Sequence, residues 1–283
     1  MKRSKITILL AIVLGMTFHS CLDLEPQDQL GGKNMWTSVN DYKQFANTFY
    51  SWTRDFSSVV YDGTHSDKRS DLITYQSYNE FSRGINSIPS SDANYTDNYK
   101  HIRRTNLLLQ NAEAYAKPED IKQYIGEAYF FRAYSYFDLL QLYGDVIITK
   151  KPLDITDPEM KVKRNDRSEV VDLIIDDLNH AVENLPAFKE LTTEEEGRIS
   201  KEGAQAFLSR VALYEGTWQK SRNGNQNTQR SANLLDIAAK AARTVIDAKY
   251  GYTFRLFGTD SETKILGDSA QKDMLSLIHI SEP

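Results

Sequence analysis

The chain has 283 residues, 40% of them hydrophobic, which provides enough apolar material for one large globular domain or two smaller ones. Its formal net charge of -5 and the scatter of its basic residues exclude the positively charged surface that nucleic-acid binding requires. Sixteen tyrosines and three tryptophans leave aromatic rings available for contacts with sugar rings once a core is built.

The first residues have the pattern of an export signal. Basic residues precede an apolar run from Ile6 to Phe18, which is too short to span a bilayer, so residues 1–20 are predicted to be a removable signal peptide. Cys21 is the only cysteine and cannot close an internal disulfide. It could be a buried thiol or a lipid attachment site, and its place directly after the apolar run favours lipidation.

Residues 21–38 contain Pro26 and a pair of glycines, which predict a tether behind the lipidated terminus. Ser38 with Asp41 three residues later predicts a capped helix start. Apolar residues then keep helical spacing, so a helix is predicted over residues 39–52.

From Thr53 to Asn94 no helical period persists, and loops of this length inside compact domains are commonly functional. Tyrosines in this segment alternate with acidic, basic and amide residues. Two interpretations remain open: the tyrosines pin the loop to the helices, or they bind a ligand.

The segment from Ile121 to Tyr143 is predicted to be the central helix, because apolar residues surround it on more than one face. Gly126 and other small residues would let neighbouring backbones approach closely, and Gly144 predicts the end of the helix.

Other helices are predicted over residues 95–115, 168–185, 200–216 and 231–248. Ser168 is predicted to cap the second of these, and Gly216 to Arg230 to form an exposed polar loop. The glutamates at 194–196 are interpreted as a solvated turn rather than a metal site, since consecutive residues face different ways.

These helices predict an all-α fold built from antiparallel hairpins. The predicted pairs are 121–143 with 168–185, 200–216 with 231–248, and 39–52 with 95–115. The arrangement is tetratricopeptide-like with long irregular loops, although the repeat consensus is absent.

Two motifs carry a resemblance to a known family. The run from Gly126 to Val146, GEAYFFRAYSYFDLLQLYGDV, and the run from Gly197 to Ala204, GRISKEGA, resemble signature segments of the SusD/RagB family of Bacteroidetes outer-membrane lipoproteins. The stretch from Ile102 to Leu109 also resembles a family pattern in which Asn106 is a buried packing residue. The chain departs from the family at 147–148, where isoleucines stand in place of the usual proline.

The resemblance implies a lipoprotein, lipid-anchored in the outer membrane and facing the cell surface, that binds a nutrient. The nutrient is expected to be a glycan, delivered to a partner TonB-dependent (SusC-like) transporter. Residues 39–274 would form the N-terminal part of the family's helical-repeat domain. In the family the loop matching 53–94 contributes to the ligand platform, and its position nominates Asp71, Tyr75, Tyr78 and Asn79 as ligand-binding residues. The alternative is a helical-repeat adaptor that binds only a protein partner.

No pattern in the sequence predicts catalysis. The five histidines are scattered, and the sequence contains no phosphate loop, nucleophile elbow or zinc-protease helix. We therefore predict a protein that is not an enzyme and uses neither a metal nor another cofactor.

The last residues, 275–283, read LSLIHISEP and match no preceding element. This string resembles the translation of a sequencing adapter, so it is expected to be a non-native tail, with the natural gene continuing beyond Met274.

Overall fold

The computed structural model of the chain describes residues 35–54, 80, 83–154, 156–222 and 228–254. In this part the regular elements are helices, with one isolated antiparallel bridge between Val146 and Asn165. The α-helices are α1 (Val39–Asn47), α2 (Ala93–Glu113), α3 (Lys122–Tyr143), α4 (Arg167–Asn184), α5 (Lys201–Arg222) and α6 (Thr228–Ile246). The predicted all-α class is confirmed. None of these described helices has both the length and the apolar run that a bilayer span would need.

Helices α2 to α4 run antiparallel to their neighbours. The Tyr143 hydroxyl, at the end of α3, donates to the Asp92 carboxylate just before α2, at 2.7 Å. Gly126, near the start of α3, packs against Leu185 just after α4, where an added Cβ would lie 2.9 Å from the leucine Cγ. Helices α5 and α6 form a further close pair. The predicted pairing of α3 with α4 and of α5 with α6 is confirmed.

Helix α1 and the 3₁₀ turn that continues it, Thr48–Trp52, pack across α2 and α3 together. The Tyr42 hydroxyl donates to the Asn111 carbonyl of α2 at 3.0 Å, and the Phe49 ring lies 5.7 Å from the Phe131 ring of α3. The predicted contact between 39–52 and 95–115 is therefore present. The principal partner of α2, however, is α3, because the all-round apolar surface of α3 accommodates several neighbours.

The cap predicted for the start of α1 is observed, whereas the cap predicted for the start of α4 is not. The Asp41 carboxylate accepts the Ser38 N–H at 2.8 Å, which confirms the predicted capping box. Ser168 does not cap α4. Asp166 is the N-cap: it accepts the Ser168 N–H at 2.8 Å, and Glu169 completes a capping box. Aspartate caps as well as serine, and the glutamate at the third helical position fixes the boundary earlier.

The prediction of an exposed loop from Gly216 to Arg230 is wrong at 216–222 and 228–230, while residues 223–227 lie outside the described part of the chain. Helix α5 continues to Arg222, and α6 already begins at Thr228. Gly216 and Gln219 are buried, and the Gln219 amide donates to Glu215 at 2.6 Å. Gln219 and Glu215 thus pair with each other in the interior, which allows their burial within a helix.

The predicted central helix is confirmed as α3. It buries residues around its whole circumference, and its C-terminal Gly144 has φ of 72°, a conformation that favours glycine. Its buried Glu127 accepts two hydrogen bonds from Arg198, at 2.8 and 2.9 Å. Arg198 belongs to the second of the two motifs, so this ion pair connects the residues just before α5 to the central helix.

A buried network links α2, α3 and α4. Arg132 of α3 donates to both carboxylate oxygens of Asp177 in α4, at 2.8 and 2.6 Å, and to the Asn106 side-chain oxygen in α2, at 2.7 Å. The Asn106 amide in turn donates to the carbonyls of Thr149 and Lys151, at 3.0 and 3.3 Å. The predicted structural role of Asn106 is confirmed, and it holds the segment that follows α3.

Replacing Asp177 with alanine should destabilise the fold strongly. The substitution leaves the buried Arg132 guanidinium without its counter-charge, so we expect a loss of about 3–5 kcal/mol in the free energy of unfolding, measured by urea titration. The control is Asp236→Asn, which removes an exposed ion pair with Lys240 and should cost less than about 1 kcal/mol. Equal stability of the two variants would contradict a network held by this pair.

Candidate functional site

The residues nominated from the sequence lie outside the described part of the chain. These are Cys21, Asp71, Tyr75, Tyr78 and Asn79. Their roles stay predictions. The structure does place both ends of the segment that carries the last four, and those ends show where on the helical scaffold the segment begins and returns.

Both ends of that segment attach to the C-terminal half of α3. At the first end Arg54 forms an ion pair with Asp138, which also accepts a hydrogen bond from the Asn98 amide at 2.8 Å. At the second end Asp92 accepts the hydrogen bond from Tyr143 and caps α2. The segment therefore leaves and rejoins the scaffold at one place, the junction of α2 and α3.

A groove lies at this junction, between α2 and the segment 147–160. Its volume is about 510 Å³. All eleven lining residues come from these two elements, five from α2 and six from the segment 147–160, and the walls are mainly apolar. The lining residues are Tyr95, Thr96, Tyr99, Lys100, Arg103, Ile147, Thr149, Lys151, Leu153, Glu159 and Met160.

Two tyrosines on successive turns of α2 form the aromatic part of the groove. The Tyr95 and Tyr99 rings are 4.8 Å apart and tilted by 49°, and Tyr95 also packs edge-on against Tyr143 at 5.2 Å. The Tyr99 hydroxyl donates to the Ile147 carbonyl at 2.8 Å, and burial raises the pKa of Tyr99. The hydroxyl thus stays protonated and fixes one wall of the groove to the other.

The cationic side chains of the groove already have partners. The Lys100 ammonium lies 2.7 Å from Asp97, and the Lys151 ammonium lies 2.7 Å from Glu159. The Arg103 Nε donates to a backbone carbonyl of the 147–160 segment at 3.3 Å. The groove therefore offers no concentrated charge, and its free surface consists of aromatic and aliphatic faces edged by polar groups.

The described lining offers aromatic contact and hydrogen bonding. Among the described lining residues, Glu159 supplies the one carboxyl group. Glycoside hydrolysis, in contrast, uses a pair of carboxyl groups, one of them with a raised pKa. The hydrogen bond from Lys151 holds the pKa of Glu159 below its ordinary value. Within the described residues, no three metal-binding side chains come together.

The sequence pattern does not predict this groove. Tyr95 and Tyr99 appeared only as apolar members of a helix, since their spacing of four is also that of core residues. A signal was present, because basic residues at 100 and 103 border the same helical face. The opposite wall comes from about fifty residues later, and no local pattern predicts that approach.

Comparison with known proteins identifies relatives. A family model described as "Starch-binding associating with outer membrane" (SusD-like) matches residues 22–213. "SusD-like protein P38" of Formosa agariphila is 28% identical over 233 residues, which cover 75% of this chain and 42% of the relative. The chain thus spans less than half the length of this curated relative.

Solved structures share the fold. A SusD-like protein from Bacteroides fragilis superimposes with a TM-score of 0.60 at 24% identity, covering 83% of this chain and 42% of that one. A SusD-like carbohydrate-binding protein from the same species gives a TM-score of 0.56 at 20% identity, covering 75% and 41%. At these identities the comparison shows a common helical architecture.

Acid should weaken the region where the 53–94 segment begins. His101 stacks on Trp52 with ring centroids 4.1 Å apart, and burial lowers its pKa from 6.5 to about 4. The unfolded chain binds more protons between these values, so the stability contributed by the neutral imidazole is present above pH 6.5 and is lost as the pH falls toward 4. His101→Phe keeps a ring on Trp52 and should flatten this part of the profile in urea titrations at several pH values. If the free energy of unfolding changes with pH equally in the wild type and in His101→Phe, this pH dependence does not come from His101.

Proposed function

The chain belongs to the SusD-like family, and from that premise we propose that it is a cell-surface lipoprotein of the outer membrane that binds a glycan and delivers it to a partner TonB-dependent (SusC-like) transporter. The description of the matching family model, which joins starch binding to outer-membrane association, supports this proposal. The tyrosine-lined groove at the α2–α3 junction is the observation that carries it.

The groove suits a sugar chain for chemical reasons. The apolar face of a sugar ring packs favourably on an aromatic ring, and Tyr95 and Tyr99 present such rings, partly exposed, on successive helical turns. The ammonium groups at 100 and 151 can donate further hydrogen bonds to sugar hydroxyls while keeping their carboxylate partners. Because those charges are already compensated, the groove fits a neutral glycan.

The nominated loop residues are retained as proposed ligand contacts. Their segment leaves the scaffold at Arg54 and returns at Asp92, and Tyr143 contacts both Asp92 and the groove residue Tyr95. A segment attached at these two points has its ends beside the groove. The residues proposed to contact the ligand are Asp71, Tyr75, Tyr78 and Asn79.

The proposed role requires neither catalysis nor a cofactor. Capture of a glycan depends on shape, aromatic contact and hydrogen bonding, none of which needs a perturbed acid or a metal ion. The anchor is proposed to consist of acyl chains attached to Cys21. Each buried methylene contributes about 0.8 kcal/mol, so several chains together hold a protein firmly at a membrane.

Removing the Tyr95 ring should weaken glycan binding. We expect Tyr95→Ala to bind about fivefold more weakly, because the substitution removes an aromatic contact worth about 1 kcal/mol, whereas Tyr95→Phe keeps the ring and should bind like the wild type. The measurement is isothermal titration with malto-, laminari- and xylogluco-oligosaccharides.

Tyr252→Ala serves as the matched control, since Tyr252 is another partly exposed tyrosine and does not line the groove. If the wild type binds none of the three glycan series yet retains a protein partner, the adaptor alternative replaces this proposal. If Tyr95→Ala binds as tightly as the wild type, the groove is not the glycan site.

Loss of Cys21 should release the protein from the membrane. In a Bacteroidetes host we expect the wild type to incorporate labelled palmitate, to sediment with the outer membrane and to co-purify with a TonB-dependent barrel. Cys21→Ala should lose the label and move to the soluble fraction. Labelling that persists in the variant would disprove the proposed anchor.

A further inference from the structure

A second cavity lies on the far side of the segment that walls the groove. Its volume is about 390 Å³, and it opens between α2, α3, α4 and residues 150–151. Lys151 lines both this cavity and the tyrosine groove, so the two are separated by little more than one stretch of backbone. We call this cavity the polar pocket.

The base of the polar pocket is rigid. The Tyr129 ring lies between the Arg132 guanidinium, 5.3 Å from its centroid, and the His180 ring, stacked at 4.9 Å and 28°. Arg132 is itself fixed by its bidentate bond to Asp177 in the buried network. The pocket therefore has a preorganised aromatic and cationic base whose own charge is neutralised.

Three polar side chains lie at the rim of the polar pocket. Gln110, Glu113 and Lys150 are exposed and line the pocket, and within the described residues none of them forms a hydrogen bond or an ion pair. This differs from the tyrosine groove, where Lys100 and Lys151 are both paired. Unpaired donors and acceptors that converge on one cavity are available to a ligand.

The combination of these groups selects a class of ligand. Lys150 can only donate hydrogen bonds, the Glu113 carboxylate can only accept them, and the Gln110 amide does both. The charges of Lys150 and Glu113 balance each other, and Asp176, the further carboxylate of the lining, lies 3.8 Å from the His180 ring at the base. Hydroxyl groups donate and accept equally well, so a neutral polyhydroxylated ring satisfies all three side chains.

We propose that the polar pocket is a second subsite for the same glycan, binding the hydroxyl groups of a sugar unit further along the chain than the units stacked in the tyrosine groove. This inference rests on the proposed glycan-binding function. The oligosaccharide crosses Lys151 between the two cavities. The groove then supplies aromatic contact that tolerates many sugars, and the polar pocket discriminates between hydroxyl patterns.

The test compares short and long oligosaccharides. We expect Gln110→Ala and Lys150→Ala to bind the heptasaccharide of a recognised series about three- to tenfold more weakly, the effect of losing one hydrogen bond, while binding of the disaccharide is unchanged. Both side chains are exposed and unpaired, so the fold should survive, as thermal unfolding can verify. The control is Lys220→Ala, an exposed lysine on α5 that lines neither cavity.

The outcomes separate the two proposals. If the wild type binds long oligosaccharides and Tyr95→Ala weakens them, but Gln110→Ala and Lys150→Ala behave like Lys220→Ala, the second subsite is refuted and the groove stands. Equal losses of affinity for the disaccharide and the heptasaccharide would also refute the second subsite, since the proposal requires that only the longer oligosaccharide reaches the polar pocket. If the wild type binds neither length in any series, the glycan-binding function itself fails.

Discussion

Arg132 of α3 and Asp177 of α4 meet in the interior with bidentate geometry, and both are almost fully buried. Burying two charges is costly unless their remaining hydrogen-bonding groups are also satisfied. Asn106 of α2 meets this condition by accepting from Arg132, and it then fixes the segment at 149–151 through its amide. One network in the core thus sets the spacing of three helices and the position of the backbone that separates the two cavities. Disturbing the pair would shift the backbone between the two cavities and would also lower the free energy of unfolding.

The helical architecture could be predicted wherever apolar periodicity and burial coincide. Helix α3 is apolar on all sides, and Gly126 marks its closest contact, so both its central place and its pairing with α4 follow from the sequence. Prediction failed where polar residues are buried. Gln219 of α5 is buried and bonds to Glu215, which also pairs with Arg167 of α4, yet in sequence this stretch has the composition of a loop. Only the three-dimensional pairing of those groups makes their helical burial favourable.

The candidate site was harder to predict than the fold. The tyrosine groove combines two residues of α2 with a segment about fifty positions away, and the polar pocket combines three helices, so each depends on contacts that no local pattern contains. Tyr95 and Tyr99 share the helical spacing of core residues, and only their partial exposure distinguishes them. The two cavities also differ in how they hold their polar groups, which are paired in the groove and unpaired at Gln110, Glu113 and Lys150. If both proposals hold, affinity and selectivity belong to different surfaces of one scaffold.

The anchorage of the 53–94 segment has an evolutionary consequence. Arg54 pairs with Asp138, and Asp92 with Tyr143, so both attachment points belong to helices whose packing is set elsewhere. Doubling the length of a connection between fixed points costs only about 0.6 kcal/mol of closure entropy. Insertions and exchanges between these anchors would leave the packing of the helices intact, so both the length and the sequence of the connection can change during evolution, or be changed by design, without loss of the fold.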